Sequence, residues 1–208
     1  AAAAEINALG KGKAFGVACN VGYKEQLQAL VDETHKAFGK IDILVCNAAS
    51  NPYYGPMEEI SDDAFEKILS NNIISNHWLI QMVAPEMKER KDGAIVIISS
   101  IGGLKGSPVI GAYNISKAAD FQLARNYAIE LGPHNIRVNC VAPGLIKTDF
   151  ARALWENPDN VKRIEGGTPM RRIGDPVDIA GAAIFLASDA GRYMAGQMIV
   201  VDGGSVIV

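Results

Sequence analysis

The chain has no long uncharged apolar run. The longest, Ile179 to Ala187 (IAGAAIFLA), falls far short of the roughly 20 residues that a bilayer span needs, so no membrane partner is expected. A basic stripe is also missing. Twenty lysines and arginines stand against 23 acids, a net charge of −3 with no block of one sign, which argues against a nucleic-acid partner. Cysteine is scarce. Cys19, Cys46 and Cys140 are odd in number and share no CxxC spacing, giving neither a disulfide framework nor a zinc spacing. Each ends or adjoins an apolar run, the usual place of a small core hydrophobe. His35, His77 and His134 are scattered without ligand spacing, so no metal is expected. No basic-then-apolar leader opens these residues, and the closing Ser-Val-Ile-Val is not a peroxisomal address. The expected setting is the cytoplasm.

What is present is an alternation of short β-like runs with longer helical ones. Lys13–Cys19, Ile41–Val45, Ala94–Ser99, Ile136–Ala142 and Met198–Val201 read as strands. They are too apolar for a sheet with one face in water, so a parallel sheet covered on both faces is expected. Lys24–Phe38, with Leu27, Leu30, Val31 and Phe38 on one stripe, reads as a helix, as do Ile73–Arg90 and Gly111–Leu131. Asp175-Pro176 with Asp178 three residues on opens another, to about Ser188. The alternation predicts an α/β fold, a doubly wound Rossmann-type sheet, as one domain over residues 1–208. The beginning departs from that pattern. Residues 1–9 look like a helix already under way, where a nucleotide-binding α/β domain ordinarily opens with a strand and a glycine-rich turn.

The chemistry-bearing residues cluster at predicted strand ends. Tyr113 and Lys117, in Tyr113-Asn-Ile-Ser-Lys117, are spaced i, i+4 and share one helical face. An ammonium beside a phenol favours the phenolate, so Lys117 is expected to lower the Tyr113 pKa and make it a usable general acid or base. Ser100 ends the strand Ala94–Ser99 and opens a loop with Gly102, Gly103 and Gly106. Asn47-Ala48-Ala49 follows Ile41–Val45, Asn72 lies on the helix after it, and Pro143-Gly144 with Thr148 follows Ile136–Ala142. All leave one edge of the sheet, the edge where open α/β sheets bind ligands.

Together with Asn135-Ile-Arg-Val-Asn139 and the closing Gly196-Gln-Met-Ile-Val-Val-Asp-Gly-Gly204, these pieces resemble the short-chain dehydrogenases/reductases over essentially the whole chain. The runs NAASNPYYG and PGLIKTDFARALW look most like the carbonyl-reductase/retinal-reductase branch and its bacterial relatives. The resemblance implies an NAD(P)-dependent oxidoreductase acting on a carbonyl or secondary alcohol, with NADP(H) favoured over NAD(H). It makes Tyr113 the proton donor, Lys117 its partner and the holder of the nicotinamide ribose, Ser100 the residue on the substrate oxygen, and Asn72 the anchor of a water leading to Lys117. Asn20 and Val21 fall at the adenine, Asn47, Ala48 and Ala49 on the adenosine side, and Pro143, Gly144, Ile146 and Thr148 at the nicotinamide. Trp155 falls on a mobile substrate lid.

Three departures stand out. Ala49 replaces the glycine of the family's Asn-Ala-Gly, and Asn20 replaces its usual aspartate. The TGxxxGIG turn that binds pyrophosphate is absent, with the strand carrying it and the next one. These residues are therefore expected to belong to a longer protein lacking here roughly a βαβ unit, about 30 residues or more. Two alternatives remain open: a 3-oxoacyl-carrier-protein reductase, with Lys88, Arg90 and Lys91 meeting an acidic carrier, and a non-catalytic cofactor-sensing protein on the same scaffold. Asn114-Ile-Ser116 matches a glycosylation sequon by chance, and Ser100 lacks the GxSxG of a nucleophile elbow. Apolar residues spread around helices 73–90 and 111–131 predict a homotetramer built through them.

Overall fold

A computed structural model describes residues 2–208. In chain order it contains α1 (Ala2–Ala8), α2 (Lys24–Phe38), β1 (Ile43–Cys46), α3 (Asp62–Leu69), α4 (Ser75–Arg90), β2 (Gly93–Ile98), α5 (Gly111–Leu131), β3 (Ile136–Pro143), α6 (Arg152–Trp155), α7 (Pro158–Gly167), α8 (Pro176–Ala187) and β4 (Met198–Val201). The four strands are parallel in the order β1-β2-β3-β4. β2 and β3 lie inside the sheet and are buried along almost their whole length, which is why they read as continuous apolar runs rather than alternating ones.

Helices cover both faces. On one, α2, α4 and α5 bury Leu27, Val31, Ile80, Val83, Phe121 and Leu131 against Ile95, Ile97, Val138 and Cys140. On the other, α8 brings Leu186 onto Val96 and Val141. Cys46 and Cys140 are buried free thiols and Cys19 is half-buried. Among the described residues no helix is long and apolar enough to cross a membrane.

Two expectations need correction. Lys13–Cys19 is not a strand; it runs outside the four-stranded sheet, mostly exposed. A strand is defined by its ladder, and no described strand pairs with this segment. The helix expected over Ile73–Arg90 begins instead with a π-turn at Ser70–Ile74, continuous with α3 before it and α4 after it. The opening helix is α1; residue 1 lies outside the described residues.

Candidate active site

The parallel order places the C-terminal ends of all four strands on one edge. There Asn47–Ser50 leave β1, Ser99 and Ser100 leave β2, Pro143 ends β3 with Gly144 after it, and Asp202 follows β4. Asn47 and Ala48 are exposed and Ala49 half-buried.

Asn72 is fully buried in the π-turn. Its Oδ1 accepts from the Ser50 N–H at 2.8 Å, and its Nδ2 donates to the Ser50 carbonyl and the Ser116 hydroxyl, both at 3.0 Å. These bonds tie the loop after β1 to α5 and widen the helix at the one turn where the side chain must reach sideways. The α4 side chain of Asn76 then donates to the Asn72 carbonyl at 2.7 Å.

Ser100 sits in extended backbone, and its Oγ accepts the Gly102 N–H at 3.0 Å. Having taken that bond as an acceptor, the hydroxyl keeps its own hydrogen to donate. The turn that follows lies so close to α5 that a Cβ on Gly103 would stand 2.7 Å from the Lys117 and Ala118 backbone. This approach sets the Ser100 turn against the start of α5, whose first turn carries Tyr113. Burial pushes the Tyr113 hydroxyl up to about 12, the Ser100 bond opposes that rise, and Asp120 adds to it.

Lys117 does what its spacing predicts in place but not in charge. Its Nζ lies 5.7 Å from the centre of the Tyr113 ring, one turn along the same face. The ammonium donates to the Ile98 carbonyl at 2.9 Å and to Asp120 Oδ2 at 3.2 Å. Tyr113 is raised rather than lowered, chiefly because it is buried, and the Asp120 carboxylate three residues beyond Lys117 adds to the rise. Asp120 was not legible as a site residue: an acid at i+3 from a lysine reads as an ordinary surface pair, and only the fold reveals that both are buried.

The remaining expected residues divide. Gly144 is pinned by its N–H to the Val201 carbonyl at 2.9 Å, and Ile146 bridges to Gly174, holding the loop beside the strand ends. Thr148 is half-buried before a short turn, and its carbonyl accepts from Trp155 Nε1 at 2.8 Å. That bond holds Trp155 back on the loop, and the ring beside Tyr113 is that of Phe150, with centroids 6.0 Å apart. Phe150 was missed because nothing in its spacing marks it. Asn20 is exposed, its Oδ1 accepting from the Gly22 N–H, and Val21 packs on the core near α2. Beside the Ser100 turn a cleft of about 470 Å³ opens between Ile101, Leu145, Ile146, Ile164 and Met170. Its lining does not include Ser100 or Tyr113, so it adjoins the chemistry rather than containing it.

The donor set suits half of a dinucleotide. An ammonium carries three hydrogens; Ile98 and Asp120 take two at Lys117, leaving one directed bond for a hydroxyl such as that of a ribose. A glycine-rich pyrophosphate turn is not among these residues.

Comparison with known proteins bears on the same site. The family described as enoyl-(acyl carrier protein) reductase matches residues 1–205. Mouse dehydrogenase/reductase SDR family member 4 is 42% identical over 190 residues, covering 91% of this chain and 68% of that protein. A 7α-hydroxysteroid dehydrogenase complexed with NADH and 7-oxo glycochenodeoxycholic acid superposes with a TM-score of 0.92 at 39% identity, over 97% of this chain and 77% of that one. ElxO with NADP bound superposes with a TM-score of 0.83 at 31% identity, over 91% of this chain and 77% of that one. With the expected motifs assembled at one sheet edge and these matches spanning nearly all of its length, the chain belongs to the short-chain dehydrogenase/reductase family.

Proposed function

We propose that the protein transfers a hydride between NAD(P)(H) and a carbonyl or secondary alcohol, with Tyr113 giving or taking the proton on oxygen. The observation that carries this reading is Lys117 Nζ standing 5.7 Å from the centre of the Tyr113 ring, one turn along the same helix face, with the turn after Ser100 packed on that helix. A bound nicotinamide supplies or accepts the hydride at carbon. Ser100, its Oγ already accepting from Gly102, donates to the substrate oxygen and holds it beside Tyr113. In reduction the Tyr113 O–H bond breaks and its proton completes the alcohol; in oxidation the same oxygen takes that proton back. Lys117 holds the ribose, and Pro143, Gly144, Ile146 and Thr148 hold the nicotinamide. Asn20, Val21, Asn47, Ala48 and Ala49 lie on the adenosine side.

The cleft beside Ile101 combines Leu145, Ile164 and Met170 with the charged Lys105, Arg163, Arg172, Asp178 and Asp202. The acyl-carrier alternative called on Lys88, Arg90 and Lys91. Arg90 is engaged by Glu86 and the Ile41 carbonyl, each at 2.7 Å, and Lys88 by Glu130 at 3.4 Å, which leaves Lys91 as the exposed one of the three outside an ion pair. A cytoplasmic setting goes with three free cysteines. Assembly as a homotetramer through helices 73–90 and 111–131 belongs to the same reading, supported by Ile115 and Ile129 exposed on α5.

The test is consumption of NADPH and NADH by the intact protein with aromatic ketones, diketones, retinal, acetoacetyl thioesters and a 7-oxo bile acid. At least one class should be reduced with one alcohol formed per reduced nicotinamide consumed. Reduced cofactor that binds but is not consumed with any carbonyl would contradict the reading.

A further inference from the structure

Lys105 and Arg163 have no part in the chemistry so far, yet the fold brings both to the cleft of about 470 Å³ beside the Ser100 turn. That volume lies within the range of small-molecule sites, about 300–1,000 Å³. The cleft borders the reacting groups at two points. Ile101 in its wall follows Ser100 directly, and the Lys105 carbonyl accepts at 2.9 Å from Nδ2 of buried Asn114, the residue after Tyr113. A substrate oxygen placed at Ser100 and Tyr113 therefore has this cleft beside it for the rest of the molecule.

The charges in its wall do not cancel. Lys105, Arg163 and Arg172 stand against Asp178 and Asp202. Arg172 donates to both Asp178 carboxyl oxygens, at 2.6 and 2.9 Å, and the Asp175 N–H reaches Asp178 Oδ2 at 2.8 Å. Asp202 is turned to its own backbone, accepting the Gly204 and Val206 N–H groups at 2.8 Å each. Both acids are thereby occupied. Arg163, on α7, has Asn160 Oδ1 at 3.4 Å, a neutral and distant acceptor. Lys105, closing the turn after β2, enters no ion pair among the described residues. Two cations from separate elements thus line an otherwise apolar stretch of wall, and a cleft of one prevailing charge concentrates ligands of the other.

We infer that the protein favours carbonyl substrates that end in a carboxylate, with the apolar body along Ile101, Leu145, Ile164 and Met170 and the anionic end held by Lys105 and Arg163. This rests on Ser100 and Tyr113 as the place of carbonyl reduction and adds the substrate's second functional group. Lys105 and Arg163 touch no reacting atom; they select what is bound. A carboxylate gains charge-assisted hydrogen bonds from them, and its methyl ester, with the same ketone and the same apolar body, does not.

The experiment is calorimetric titration of the intact protein with oxidised NAD(P) bound, a state in which a ketone is not turned over. The ligands are γ-benzoylbutyrate and a longer homologue, each beside its methyl ester. At least one acid should bind about tenfold or more tightly than its ester, and the difference should shrink as salt is raised. In Lys105→Met combined with Arg163→Met the preference should collapse, with the loss falling on the acid. Esters that bind the parent as tightly as both acids would overturn the inference, as would a double variant that keeps the preference. Equal weakening of acid and ester would make the two residues merely structural and overturn it too. If the double variant does not fold, the acid-to-ester ratio of the parent and its salt dependence decide. Turnover separates the two readings. Acid preference with no consumption of reduced nicotinamide removes the proposed function and leaves the anion site, whereas reduction of acid and ester with the same KM removes the anion site alone.

Discussion

Burial pushes the Tyr113 hydroxyl up to about 12, with Lys117 Nζ 5.7 Å from its ring centre and paired with Asp120. Asn72, Ser100, Tyr113 and Lys117 were legible because residue type and spacing suffice: a hydroxyl at a strand end, and an i, i+4 pair on one helix face. Asp120 and Phe150 were not, because their roles come from burial and from ring placement that no local pattern announces. The sequon at Asn114 shows the converse. Its side chain is buried, with Nδ2 donating to the Lys105 carbonyl at 2.9 Å, so the motif has no accessible acceptor. Gly103 offers a test at this scale. A methyl group there would press on the α5 backbone at Lys117 and Ala118, neither of which can swing aside. Gly103→Ala should destabilise the fold by about 1–3 kcal/mol and lower kcat by pushing the Ser100 turn off Tyr113. Thermal unfolding and turnover check it, and parental values in both would show that the close approach is not required.

The elements were largely readable, and their irregularities were not. α2 and α5 match the apolar stripes that predict them at both ends, and α8 begins at the proline that follows Asp175. The π-turn at Ser70–Ile74 escaped notice because its cause is tertiary: Asn72 must satisfy Ser50 and Ser116 at once. Asn135-Ile-Arg-Val-Asn139 was noted as a family motif, and the fold gives it structural work. Asn135 takes a left-handed turn into β3, with φ at 59°. Arg137 donates to the Leu186, Ser188 and Gly191 carbonyls where α8 ends, a cation at the negative pole of a helix. Asn139 accepts from the Gln197 N–H at 2.9 Å and donates to the Met194 carbonyl at 2.8 Å, setting the approach of β4. His35 and His77 are likewise structural, bonded to Glu86 and to the Tyr127 hydroxyl.

In the molecule as a whole, the parallel order and the helices on both faces followed from strands too apolar to face water. The failure at Lys13–Cys19 has the same physics in reverse, since a strand-like composition forms no strand without a neighbouring ladder. Assembly was argued from apolar residues spread around two helices, and part of that surplus is covered within the chain. Trp78, Met82 and Leu123 pack on the core, while Ile115 and Ile129 remain exposed. Light scattering of the intact protein at micromolar concentration should give a mass of four copies, or two if one interface is weak. A monomer would show that the exposed residues on α5 have no partner copy. The strand ends, turn and helix converge near Tyr113, which the proposed function makes the proton donor. Turnover of Tyr113→Phe on a carbonyl that the parent protein reduces tests this most directly. It should fall about 10²- to 10⁴-fold with the affinity for NAD(P)H retained, whereas turnover within a few-fold of the parent would show that the proton comes from elsewhere.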